Sequence, residues 1–115
     1  ELQGVASTQV SDMVHWDYFA DNRPPDETPA TLIEATRYGA HATSLATGQN
    51  IAWGTGAYAT PAHVVSEWMA SPPHREIILT AYYRDAGVSA TAAVPSVVEN
   101  GVAGATYAVE FGARG

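Results

Sequence analysis

Residues 81–94 read AYYRDAGVSATAAV, and inside this stretch the hydrophobic period changes. Upstream of it apolar residues recur at helical spacing. From Gly87 onward they alternate, with Val88, Ala90, Ala92 and Val94 on one face of an expected strand. Downstream, ATYAVEF (105–111) alternates again and groups Tyr107, Val109 and Phe111. Asn100-Gly101 lies between the two runs and suits a tight hairpin turn, because both residues tolerate positive φ. Helices followed by an antiparallel hairpin predict an α+β domain, with helices packed on a small antiparallel sheet.

Working back from that point, TPAHVVSEWMAS (60–71) opens with Thr60-Pro61, a capping residue followed by proline at the first helical position. Its Val64, Val65, Trp68 and Met69 form one stripe. Pro72 and Pro73 end this helix, and Ser71 can cap a further turn that carries His74. NIAW (50–53) suits a short strand, and AHATSLATG (40–48) reads as loop. Thr28-Pro29 should start a helix running to Gly39. The first helix is expected from about residue 2 to 19, with Leu2, Val5, Ala6, Met13 and Val14 on its apolar side.

The composition narrows the function. The 115 residues suit a single domain with a real core. The net charge is −7 and the five basic residues are all arginine, so no basic patch can form for nucleic acid or for an anionic membrane. No run is long enough to span a membrane. The absence of cysteine removes disulfides, thiolate zinc sites and cysteine nucleophiles. ELQGVASTQV (1–10) has neither the basic start nor the apolar centre of a leader peptide. Neither a GxSxG elbow nor a Gly-rich phosphate loop occurs.

His74 then has three possible roles: metal ligand, proton-transfer group, or a brace hydrogen-bonded to its loop. The spacing favours the brace. His63 and Glu67, four apart, read as a solvated ion pair rather than half a metal site. His15 should pack on its aromatic neighbours, and His41 falls in a loop without further signal. Trp16, Tyr18, Phe19, Trp53, Trp68, Tyr82 and Tyr83 are read mostly as core, with a groove as the alternative.

The motifs SDMVHWDYFAD (11–21), DETPATLIEATRYG (26–39), GQNIAWG (48–54), VVSEWMASPPHREIIL (64–79), AGVSA (86–90) and YAVEFG (107–112) occur in an order that resembles the CAP superfamily. This superfamily comprises the cysteine-rich secretory, antigen 5 and pathogenesis-related 1 proteins, and the likeness here is to its compact bacterial SCP-like form. The resemblance implies an α–β–α sandwich and a secreted protein. It also implies that the chain, read as one domain over 1–115, lacks part of the family's usual N-terminal helical region.

Many members carry a cleft tetrad of two histidines and two acidic residues, and in some the histidines hold a divalent metal such as zinc. Carried onto this chain, the four positions are Asp21, Gln49, Ser71 and His74, so only the last keeps its type. Asp21 and His74 are the candidate metal donors, with Glu67 as an accessory one turn before Ser71. Gln49 is expected to donate its amide to Asp21 and brace the cleft. These departures imply a non-catalytic extracellular binding module, with a lipid, sterol, cell-wall glycan or protein as ligand and no obligatory cofactor. The alternative is a divalent-metal-dependent hydrolase using Asp21, Glu67 and His74. A spacer domain within a longer secreted protein is a third reading.

Overall fold

A computed structural model describes residues 1–40, 42–98 and 103–114. His41 and the Asn100-Gly101 turn therefore lie outside the described residues. The helices are α1 (Leu2–His15), α2 (Pro29–Glu34), α3 (Arg37–Ala40), α4 (Pro61–Ala70) and α5 (Pro72–Leu79). The strands are β1 (Leu45–Thr55), β2 (Asp85–Thr91) and β3 (Gly104–Arg114). They form one antiparallel sheet in the order β1-β3-β2. The fold class is the expected α+β, with helices on both sides of the sheet. No helix among the described residues is long and apolar enough to cross a membrane.

Each side of the sheet has its own core, as the strand period of two requires. Ile51 and its cross-strand partner Ala108 pack with Ala6, Val10 and Met13 of α1. On the opposite face Val109 packs with Val64 and Trp68 of α4, flanked by Ala52, Ile78, Tyr107 and Phe111. Leu2 and Val5 join Ile33 and Tyr38 in a third cluster that ties α1 to α2 and α3. The Tyr38 hydroxyl donates to Asp85 at 2.6 Å, and Arg114 stacks on the Tyr38 ring. Burial first, then the Asp85 contact, pushes the Tyr38 phenol up to about 12.

Both Thr-Pro starts behave as read. The Thr28 hydroxyl accepts from the Thr31 amide and the Thr60 hydroxyl from the His63 amide. Several boundaries differ. The first helix ends at His15 rather than 19, because the chain turns through Asp17 at φ 55°. The helix expected to reach Gly39 breaks after Glu34 and resumes at Arg37. The stretch read as loop before Gln49 is strand from Leu45, paired along β3 down to Arg114. There β1 has a partner strand to satisfy its backbone, which small polar residues do not announce locally.

Strand β2 alternates as expected, but the apolar side is the open one. Val88 is 55% exposed while Gly87 is buried. A Cβ at Gly87 would run into the backbone of Leu2 and Gln3, so the smallest residue is what lets α1 lie close on β2.

Candidate functional site

Strand β1 is an edge of the sheet, and a cleft runs along it. The cleft has a volume of about 310 Å³ and brings together Phe19, Trp53, His63, Glu67, Ser71 and His74. Local structure fixes each wall. After α1 the chain is held by Gln9, whose amide donates to the Ala20 carbonyl at 2.7 Å, and this sets Phe19 and Asp21 beside the sheet. On the far wall the Trp68 indole donates to the Ile51 carbonyl at 3.0 Å. The fully buried Asn50 donates to the His74 carbonyl at 3.1 Å. Two side-chain-to-backbone bonds thus lock α4 and the start of α5 onto β1.

Ser71 stands at the N-cap of α5 but does not cap it through its side chain. Its hydroxyl shares a 2.9 Å hydrogen bond with His74 Nδ1 instead. That fixes the imidazole ring and leaves Nε2 without a hydrogen-bond partner among the described residues. His63 and Glu67 stand 3.7 Å apart, and the Tyr58 ring packs edge-on against His63. The seven aromatics singled out in the sequence divide differently from the expectation of a core role. Trp68 is buried, Trp16, Trp53 and Tyr82 are exposed, and Phe19, Trp53 and Trp68 line the cleft.

Behind this cleft the sheet carries a group that the motif reading passed over. Glu110 of β3 sits directly opposite Gln49 of β1. It is fully buried, and the Gln49 amide donates to its carboxyl at 2.5 Å. The expected bond from Gln49 to Asp21 is replaced by this one, because register places the two side chains on the same rung and the same face. The second carboxyl oxygen of Glu110 and the amide oxygen of Gln49 have no protein partner among the described residues.

Burial pushes the Glu110 carboxyl up to about 7. The Gln49 hydrogen bond opposes this rise and the nearby Asp21 charge reinforces it. A carboxyl group therefore stands beside Gln49 on the paired strand, closed off from solvent. The signal was available: in YAVEFG, a glutamate stands on the face opposite Tyr107, Val109 and Phe111, between Ala108 and Gly112.

Asp21 is not among the residues that line the cleft. As a residue it is exposed, yet loss of water around its carboxyl raises its pKa, and His74 pulls it the other way. The charge of His74 therefore reaches Asp21, and that of Asp21 reaches Glu110. Glu67, the proposed accessory donor, is exposed and turned to His63. No three His, Asp or Glu side chains among the described residues converge as a metal centre would need. The donor set as placed does not fit zinc.

The sequence matches no protein-family model and no curated protein. Solved structures do match. One is an outer surface protein of Borrelia burgdorferi, at TM-score 0.72 and 19% identity, covering 99% of this chain and 74% of that one. Another is an extracellular protein of Bacillus anthracis that contains an SCP domain, at TM-score 0.67 and 21% identity, covering 96% of this chain and 30% of that one. At these identities the likeness is one of fold. It agrees with the sandwich that the motif order implies.

Proposed function

We propose that the chain is an extracellular binding domain that holds its ligand in the cleft along β1 without chemically changing it. The location rests on analogy with the two matched proteins, which are described as an outer surface protein and an extracellular protein. The observation that carries the binding reading is the mixed lining of the cleft. The cleft lining combines the aromatic side chains of Phe19, Trp53 and Trp68 with the hydrogen-bonding groups of His63, Glu67, Ser71 and His74. The carboxyl best tuned for proton transfer, Glu110, is sealed behind Gln49 with no exposed surface.

Aromatic rings together with hydrogen-bonding groups suit a sugar ring, which has C–H faces and a hydroxyl edge. Among lipid, sterol, glycan and protein ligands we therefore place a neutral cell-wall glycan first. The net charge of −7 disfavours anionic ligands.

The test is titration with N-acetylated sugar oligomers, followed by tryptophan fluorescence. Saturable binding is expected, weakened about tenfold or more in Trp53→Ala. An unchanged signal across glycans, with binding of sterol or lipid instead, would replace the ligand class.

The rival reading is a divalent-metal-dependent hydrolase on Asp21, Glu67 and His74. The reach of the His74 charge to Asp21 favours it, while the pairing of Glu67 with His63 speaks against it. A zinc titration by calorimetry decides between them. One-site binding that disappears in His74→Ala would support the hydrolase, and heat of dilution alone in both proteins would remove it.

A further inference from the structure

On the face of the sheet that α1 covers, two rungs stand side by side. Ile51 opposite Ala108 is apolar and packs on Ala6, Val10 and Met13. The next rung, Gln49 opposite Glu110, is polar and just as buried. Its third member, Gly87 of β2, has no side chain and lies under the backbone of Leu2 and Gln3. The segment after α1 lies against the same layer. Tyr18 and Phe19 pack on the cluster that holds the apolar rung, and the charge of Asp21 reaches Glu110. Three ties fasten that segment to α1. The Tyr18 amide donates to the Met13 carbonyl at 3.0 Å, the Gln9 amide to the Ala20 carbonyl at 2.7 Å, and Arg23 pairs with Asp12 at 2.6 Å.

The polar rung is short of a hydrogen. The Gln49 amide serves one carboxyl oxygen of Glu110, while Gln49 Oε1 and Glu110 Oε2 have no partner among the described residues. A carboxylate and an amide carbonyl can only accept. As an anion, Glu110 is therefore a buried charge with one hydrogen bond and a second carboxyl in reach, which is an unfavourable state. As a carboxylic acid it loses the charge and gains the donor that the rung lacks. No positive charge among the described residues pairs with it. On α1 the buried side chains are Leu2, Val5, Ala6, Gln9, Val10 and Met13, none of them titratable. Strands β1 and β2 present Gln49 and Gly87. Farther along β3, Tyr38 covers Gly112 and is engaged with Asp85 and Arg114. The segment after α1 brings Tyr18 and Asp21, its Arg23 is held by Asp12, and the His74 charge reaches Asp21.

We propose that residues 16–23 form a lid over the Gln49–Glu110 rung, held shut by a proton on Glu110 and released when that proton is lost. Opening lets water reach the carboxyl, so the open lid holds the proton less tightly than the closed one. Linkage then fixes the sign: acid closes the lid and neutral pH loosens it. The carboxyl rises from the ordinary 4.5 to about 7 in the closed state. Opening should therefore grow about tenfold per pH unit between those values and level off above about 7. Phe19 belongs to the lid and lines the cleft along β1, so acid also firms one part of the cleft. That last consequence rests on the reading of the cleft as a binding site, whereas the lid does not.

The test is amide hydrogen exchange, resolved by NMR residue by residue between pH 4.5 and 8 and corrected for the intrinsic pH dependence of exchange. No ligand is needed. The Tyr18 amide reports the lid, and amides of the β1–β3 ladder report opening of the whole domain. Tyr18 is expected to be less protected than the ladder at every pH. Its protection should fall by at least about a hundredfold from pH 4.5 to 7 and then level off. In Glu110→Gln, with circular dichroism to confirm folding, only the smaller slope from Asp21 should remain. The carbon-13 resonance of the Glu110 carboxyl, followed in the unaltered protein, should titrate where the protection levels off, and this reading needs no variant.

Tyr18 protection that does not change with pH overturns the proposal. Protection of Tyr18 equal to that of the ladder overturns it too, because the domain then opens in one step and there is no lid. A Glu110→Gln slope equal to the parent's, or a Glu110 carboxyl that titrates near 4.5, does the same. None of these outcomes depends on whether the cleft along β1 binds a glycan, so failure of the lid and failure of the binding reading are told apart.

Discussion

Replacing Glu110 by glutamine tests the most unusual group in the molecule. In the folded chain its carboxyl is raised from the ordinary 4.5 to about 7. Between those values the folded state holds a proton that the unfolded state has released. Stability from this group is therefore complete below about pH 4.5 and is lost as pH rises through about 7. A rise of this size corresponds to on the order of 3 kcal/mol. Glutamine is neutral throughout, and its carbonyl can accept the same Gln49 amide hydrogen.

The assay is urea unfolding at several pH values between 4.5 and 8, read by tryptophan fluorescence. The parent protein should lose stability across this range by an amount of that order. Glu110→Gln should lose much less, and should exceed the parent in stability near pH 8. Asp21, raised in the same direction, leaves a smaller residual slope in the variant. Parallel pH profiles for the two proteins would refute the argument, because the buried carboxyl would then not be the titrating group.

Two further substitutions probe how the layers are held. Trp68→Phe keeps the ring in its pocket but removes the indole N–H from the Ile51 carbonyl. It should cost about 1–3 kcal/mol in urea unfolding, and a loss below the error of the measurement would show that water takes over the bond. Gly87→Ala drives a methyl group into the Leu2–Gln3 backbone. It should destabilise by about 1–3 kcal/mol and speed amide exchange in the first turns of α1, whereas an unchanged midpoint would mean that α1 can shift freely on the sheet.

How much of this was legible in the sequence depends on how local each signal is. The starts at Thr28-Pro29 and Thr60-Pro61 were readable because capping and the proline φ act within one turn. The alternation around Val88 marked a strand and left its buried side open, since period two marks two faces and not which of them meets a helix. The buried side carries Gly87 and Ser89, small because α1 lies close.

At the cleft, the sequence reads His74 as a brace to backbone and Ser71 as a cap, whereas the two side chains bond each other. The Gln49–Glu110 pair is not legible from spacing, because it joins residues from the two ends of the sheet's chain order through register alone. Of the positions that the resemblance singles out, Ser71 and His74 line the cleft while Gln49 is buried against Glu110.

The strand at the centre of the sheet is the last of the three to be synthesised. Both β1 and β2 make their ladders with β3, from Leu45 opposite Arg114 to Thr91 opposite Thr106. A nascent chain that has displayed α1, β1 and both later helices still has no sheet for them to close on. Such long-range pairing folds slowly and leaves apolar faces waiting. Wherever it folds, this domain should stay open to chaperones and proteases until residues 104–114 are available to pair, and then form in one late step.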